Sequence, residues 1–150
     1  MTIKHLALTV TLCCALPTFA LAQGAPPSAS TLGAGSASGN SGTVGSGGSA
    51  AAGGTSASTL GMGAKSGDSQ SLGSAGSAAA VDGRATSKTK MNDNNAMSKA
   101  RAQDGGTWSR SMTKTKIKDD TLTSRTKAMA HQPGGPPVKS KTNTTTTLGQ

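Results

Sequence analysis

Between residues 23 and 150 the chain carries one aromatic side chain, Trp108, and only fifteen large apolar residues: five Leu, three Val, one Ile, five Met and that Trp. Ordering a chain costs backbone and side-chain entropy at every residue, and burial of large apolar side chains is the usual force that offsets it. With so few such side chains among abundant Gly, Ser, Ala and Thr, the composition is that of a low-complexity, intrinsically disordered protein. The sequence therefore predicts a mostly disordered chain, with at most transient short helices or strands in its C-terminal half. The alternative fold is a miniature α/β unit in residues 82–150.

Charge divides the chain further. Residues 23–81 carry only Lys65 and Asp68, whereas residues 82–150 carry thirteen Lys and Arg against five Asp. The first segment reads as a neutral Gly/Ser/Ala-rich spacer, because glycine-rich coils gain nothing by fixing their backbone. The second reads as a basic, Thr/Lys-rich tail of degenerate repeats.

Residues 1–22 read as a signal-peptide helix. Lys4 and His5 precede an apolar run from Leu6 to Leu16, then Pro17 and the small-x-small cleavage site at Ala20 and Ala22, so that the mature chain is expected to start at Gln23. This segment resembles a bacterial secretory leader and implies export to the periplasm or the cell exterior. The apolar run is too short to span a bilayer, and no transmembrane segment is expected in the mature chain. Cys13 and Cys14 both fall in this run, leaving the remainder without thiols for a disulfide framework.

Repeats run through both halves. "STLGAG" at Ser30 returns as "STLGMG" at Ser58, and "SKTK" at Ser87 returns as "TKTK" at Thr113 and "SKTN" at Ser140. Periods of 26–28 residues invite a solenoid, but each copy offers too little apolar surface to stack, which favours duplication in an unstructured chain. Within "TKTKIK" the alternation sets Thr113, Thr115 and Ile117 on one face of an extended edge strand and Lys114, Lys116 and Lys118 on the other. Asp119 or Asp120 then caps a short helix over 121–130 that Pro133-Gly134-Gly135 stops; the upstream copy predicts a helix over 96–103 ending at Gly105-Gly106.

No catalytic, cofactor-binding or metal-ligating constellation emerges. The chain has no Glu, and beyond the leader its only histidine is His131, read as a solvated loop residue. "GMGAKS" at Gly61 and "GSGGSA" at Gly45 only superficially match phosphate-binding loops. "PGGPP" at Pro133 reads as a linker. Trp108, beside Arg110, is a possible binding anchor, although one ring makes a poor stacking platform and nucleic acid is a disfavoured partner.

The functional expectation is thus a non-enzymatic exported protein: a flexible spacer plus a basic tail that contacts anionic envelope polymers or lipid headgroups. The contact residues are Lys88 and Lys90 in the first basic repeat, Lys114, Lys116 and Lys118 in the second, and the intervening or following Lys99, Arg101, Arg110, Arg125 and Lys127. A small folded binding module in residues 82–150 and a self-associating matrix component are the alternatives.

Overall fold

In the computed structural model, which describes residues 26–149, pairs of turn-forming residues recur every twelve to fourteen positions within each sheet, and each closes a hairpin. Two-residue turns fall at Gly39-Asn40, Gly53-Gly54, Gly67-Asp68, Asp93-Asn94, Gly105-Gly106 and Asp119-Asp120. Five of the six carry a positive φ that matches the twist of the flanking strands, which glycine adopts freely and aspartate tolerates; the Asp93-Asn94 turn has none. Gly53 and Gly54 both have positive φ, as do Gly105 and Gly106, while Asp119 takes φ 52°.

The strands between these turns are β1 (Ser28–Ser38), β2 (Ser41–Ala52), β3 (Thr55–Ser66), β4 (Ser69–Ala80), β5 (Arg84–Asn92), β6 (Asn95–Asp104), β7 (Thr107–Lys118), β8 (Thr121–His131) and β9 (Val138–Thr147). Within each sheet every strand pairs antiparallel with its chain neighbours, giving a four-stranded sheet, β1-β2-β3-β4, and a five-stranded sheet, β5-β6-β7-β8-β9. The passage between sheets runs through residues 81–83. The sheets lie face to face, with β1 against β9, β2 against β8, β3 against β7, and β4 against β5 and β6. The neutral and basic segments are therefore the two layers of one sandwich.

The interior is built from small residues. Val44, Ile117, Leu122 and Leu148 cluster toward one end and Ala50, Ala52, Ala128 and Ala130 toward the other. Between them lie buried hydroxyls: Thr59 bonds Ser111 and Thr113 (both 2.7 Å), Thr113 bonds Thr126 (2.8 Å), and Thr126 donates to Ser46 (2.7 Å). Ser46 reaches Ser124, which bonds Thr115 at 3.0 Å. A hydroxyl can donate one proton and accept others, so this cluster offers partners to groups that would be costly to bury alone.

Glycines of the neutral sheet receive the threonines of the basic one. A Cβ on Gly61 would lie 2.5 Å from Thr115 Oγ1 and 2.6 Å from Thr113 Cγ2; one on Gly33 would overlap Thr144 Oγ1; one on Gly48 would lie 2.5 Å from Thr126 Cγ2. Across the neutral sheet the inward rows alternate in size, as in Thr31-Gly48-Thr59-Gly76 and Gly33-Ser46-Gly61-Ser74. Interdigitation of large and small positions is how close-packed layers avoid voids.

This architecture overturns the disordered reading and the α/β alternative. The chain from 26 to 149 is an all-antiparallel β sandwich, and the description as intrinsically disordered low-complexity sequence fails with it. The segment "GSGGSAAAGGTSAS", read as coil, spans β2, its turn and β3. The helices expected over 96–103 and 121–130 are strands β6 and β8, and Asp119-Asp120 form a turn instead of a cap. β7 alternates its faces as its pattern requires, but it is the central strand of its sheet and not an edge. An account of large apolar residues omits what orders this chain: ladder hydrogen bonds, close backbone packing and a shared hydroxyl network. The signal peptide, including Ala20, Ala22 and Gln23, lies outside the described residues.

Gly61→Ala should lower stability by about 1–3 kcal/mol through overpacking. Gly135→Ala, where an added Cβ meets nothing within 4 Å, should leave it nearly unchanged. The urea midpoints of the two variants test this. By the same measurement, Thr126→Val should cost about 1–3 kcal/mol by stranding its hydroxyl partners. Ser98→Ala should be neutral or stabilising, because the Ser98 hydroxyl is buried without a partner.

Candidate functional site

Alternation along a strand fixes which side chains face outward, and cross-strand pairing sets them into rows. On the basic sheet, β5 presents Arg84, Lys88 and Lys90, while β6 presents Lys99 and Arg101. From β7 come Arg110, Lys114, Lys116 and Lys118. Arg125 and Lys127 follow on β8, and Lys139 and Lys141 on β9. All thirteen cations of residues 82–150 share this one face. No aspartate joins them: Asp93, Asp119 and Asp120 sit in turns, Asp82 lies in the passage between sheets, and Asp104 accepts the Asp82 N–H at 3.1 Å.

Several cations face one another directly. Lys88 is opposite Lys99, Arg101 opposite Arg110, Lys114 opposite Arg125, and Lys127 opposite Lys141. Like charges in this position oppose folding. Half-buried Met97, Met112 and Met129 lie among the cations on the same face, where apolar stems of lysine and arginine can cover them. Among the described residues the single salt bridge, Lys65 to Asp120 at 2.7 Å, lies away from this face and ties the end of β3 to the β7–β8 turn. Lys65 also donates to the Asp119 carbonyl at 2.7 Å.

Trp108 stands at one end of the face, half-buried. The Arg110 guanidinium carbon is 5.7 Å from its ring centre, and the His131 ring packs against it at 5.6 Å with a 33° tilt. His131 is the last residue of β8 and not a loop residue, and its buried Nδ1 has no hydrogen-bond partner. Together these give the charged face an aromatic corner.

No family model, curated protein or solved structure matches this chain. The geometry of the face is therefore the basis for any functional reading. Among the described residues no three His, Cys, Asp or Glu gather in one place, and no helix is long and apolar enough to cross a membrane.

The structure brings the ten cations selected from the sequence onto one surface and adds Arg84, Lys139 and Lys141. The missed three lie on β5 and β9, the outer strands of the sheet. The signal for them was present: "VKSKTN" carries the same alternation as "TKTKIK", with Ser140 and Thr142 inward and Lys139 and Lys141 outward.

Because four like-charge pairs oppose one ion pair, added salt should stabilise the fold. Raising sodium chloride from low to near-molar concentration should increase the unfolding free energy by roughly 1–3 kcal/mol. Urea titrations at the two salt levels check the sign.

Proposed function

We propose that this protein is a non-catalytic binding module whose basic sheet face engages a layer of anionic groups on the cell envelope, such as lipid headgroups or surface-packed acidic polymer. The observation that carries the reading is the sorting of thirteen cations, four pairs of them directly opposed, onto a face without a carboxylate. Charge placed only for solubility is better distributed with both signs interspersed, which lowers self-repulsion. The repulsion retained here is relieved when anions neutralise the face.

The binding unit differs from the flexible spacer and tail that the composition suggested. Both compositional halves are needed to make the sandwich, so a separate module in residues 82–150 would lack the layer that covers its inner face. An assembly of unstructured tracts is likewise replaced, because those tracts are paired strands. The cations have fixed spacing, about 4.8 Å between neighbouring strands and roughly 7 Å between successive outward positions. Their spread over five strands suits a two-dimensional array better than a single linear polymer. Export, as the leader-like segment suggests, would bring the face to such a surface.

Sedimentation with vesicles tests the reading. Binding is expected to vesicles of phosphatidylglycerol mixed with phosphatidylcholine, and not to pure phosphatidylcholine. Raising salt from about 50 to 500 mM should abolish it. Replacing Lys114, Lys116 and Lys118 with Gln should weaken binding on the order of a hundredfold, at about 1 kcal/mol per cation. Capture by soluble linear polyphosphate with no retention on anionic vesicles would refute the surface reading.

A further inference from the structure

The outward face of the neutral sheet has a different character. Pairing sets its side chains into six rows, and none of them is charged. The two central rows are Leu32-Gly47-Leu60-Ala75 and Ala34-Gly45-Met62-Gly73. Leu32, Leu60 and Met62 are 65%, 48% and 50% exposed. Serine-rich rows flank them: Ser30-Ser49-Ser58-Ser77 on one side and Ser36-Thr43-Ala64-Ser71 on the other. An apolar centre within a polar rim is the anatomy of a protein interface.

We infer that this face pairs with the same face of a second copy of the chain, through a two-fold axis parallel to the strands. The large side chains stand on β1 and β3, and the glycines and small residues on β2 and β4. Rotation about an axis midway between β2 and β3 places β3 over the partner's β2 and β1 over the partner's β4, leaving the position along the strands unchanged. Leu60 then meets Gly47 of the partner subunit and Met62 meets the partner's Gly45. Leu32 likewise meets the partner's Ala75. Every protruding side chain faces a gap, and the arrangement is self-complementary as a closed dimer requires.

Area and charge agree with this occupant. Four strands about 4.8 Å apart, each of about twelve residues rising about 3.3 Å, present roughly 760 Å². A stable interface needs about 800 Å² per partner. The cations lie on the opposite side of each sandwich, so pairing through the neutral face holds the two basic faces as far apart as the molecule allows. The inference does not rest on the polyanion reading. It also differs from open-ended aggregation, since the two-fold consumes both surfaces.

Sedimentation velocity of the full chain over a dilution series tests it, with far-UV circular dichroism reporting the strands of every variant. The unsubstituted chain is expected to sediment as a dimer. Leu60→Gly, which removes the protrusion, should weaken pairing about a hundredfold, since the symmetric interface loses two leucine contacts together. Gly47→Leu, which fills the gap, should also weaken it. The double variant Leu60→Gly/Gly47→Leu exchanges protrusion and gap and should restore the dimer. Lys114→Gln, on the far face, should leave the mass unchanged. A monomeric unsubstituted chain overturns the inference, as does a dimer that persists in both single variants or a correctly folded double variant that stays monomeric.

Discussion

The sandwich depends on glycine in one sheet standing opposite threonine in the other. Where Gly33, Gly48 and Gly61 leave out a side chain, Thr144, Thr126 and the pair Thr113 and Thr115 enter the space. The two backbones can therefore approach closely, which brings hydroxyls of opposite layers within bonding distance and makes the buried chain from Thr59 through Thr126 to Ser124 possible. With alanine at these glycines the sheets would separate and the hydroxyl partners would part. Packing and hydrogen bonding here are one constraint, imposed by the absence of side chains on one layer.

That constraint also accounts for the division of composition. A layer of receiving gaps must be rich in glycine, alanine and serine, whereas the layer that fills them carries threonine or serine at most alternate positions of β7 and β9. The positions between those threonines point outward and are free to be lysine or arginine. Hence "TKTKIK" holds two functions in one pattern: Thr113, Thr115 and Ile117 close the interior, and Lys114, Lys116 and Lys118 build the charged surface. The repeats have the same origin. "STLGAG" and "STLGMG" lie on β1 and β3, and "SKTK", "TKTK" and "SKTN" on β5, β7 and β9, so a period of 26–28 residues is one strand up, one turn and one strand back.

Parts of this were legible in the sequence. The alternation of β7, the boundary between neutral and basic halves, and most of the outward cations are visible in the residue pattern. The strands β6 and β8 were obscured because Asp and Asn before an Ala-rich or Leu-containing run also mark a helix start. The deciding signal was the alternation of Ala96, Ser98, Ala100 and Ala102 with Met97, Lys99, Arg101 and Gln103, which has a period of two. The neutral half was harder. Its order arises from contacts with residues about 50 to 110 positions away, such as Thr59 with Thr113 and Thr31 with Thr142, and a tract of glycine and serine carries no local sign that such partners exist.

The hydroxyl-lined interior has a thermal consequence. In most domains, unfolding wets oily surface and raises the heat capacity steeply, which bends the stability curve and erodes it toward the cold. Opening this sandwich wets many alcohol and peptide groups alongside methyl groups, and polar hydration acts in the opposite direction. The curve expected from this balance is shallower, with a margin that changes less with temperature than an oil-rich interior of the same size would give.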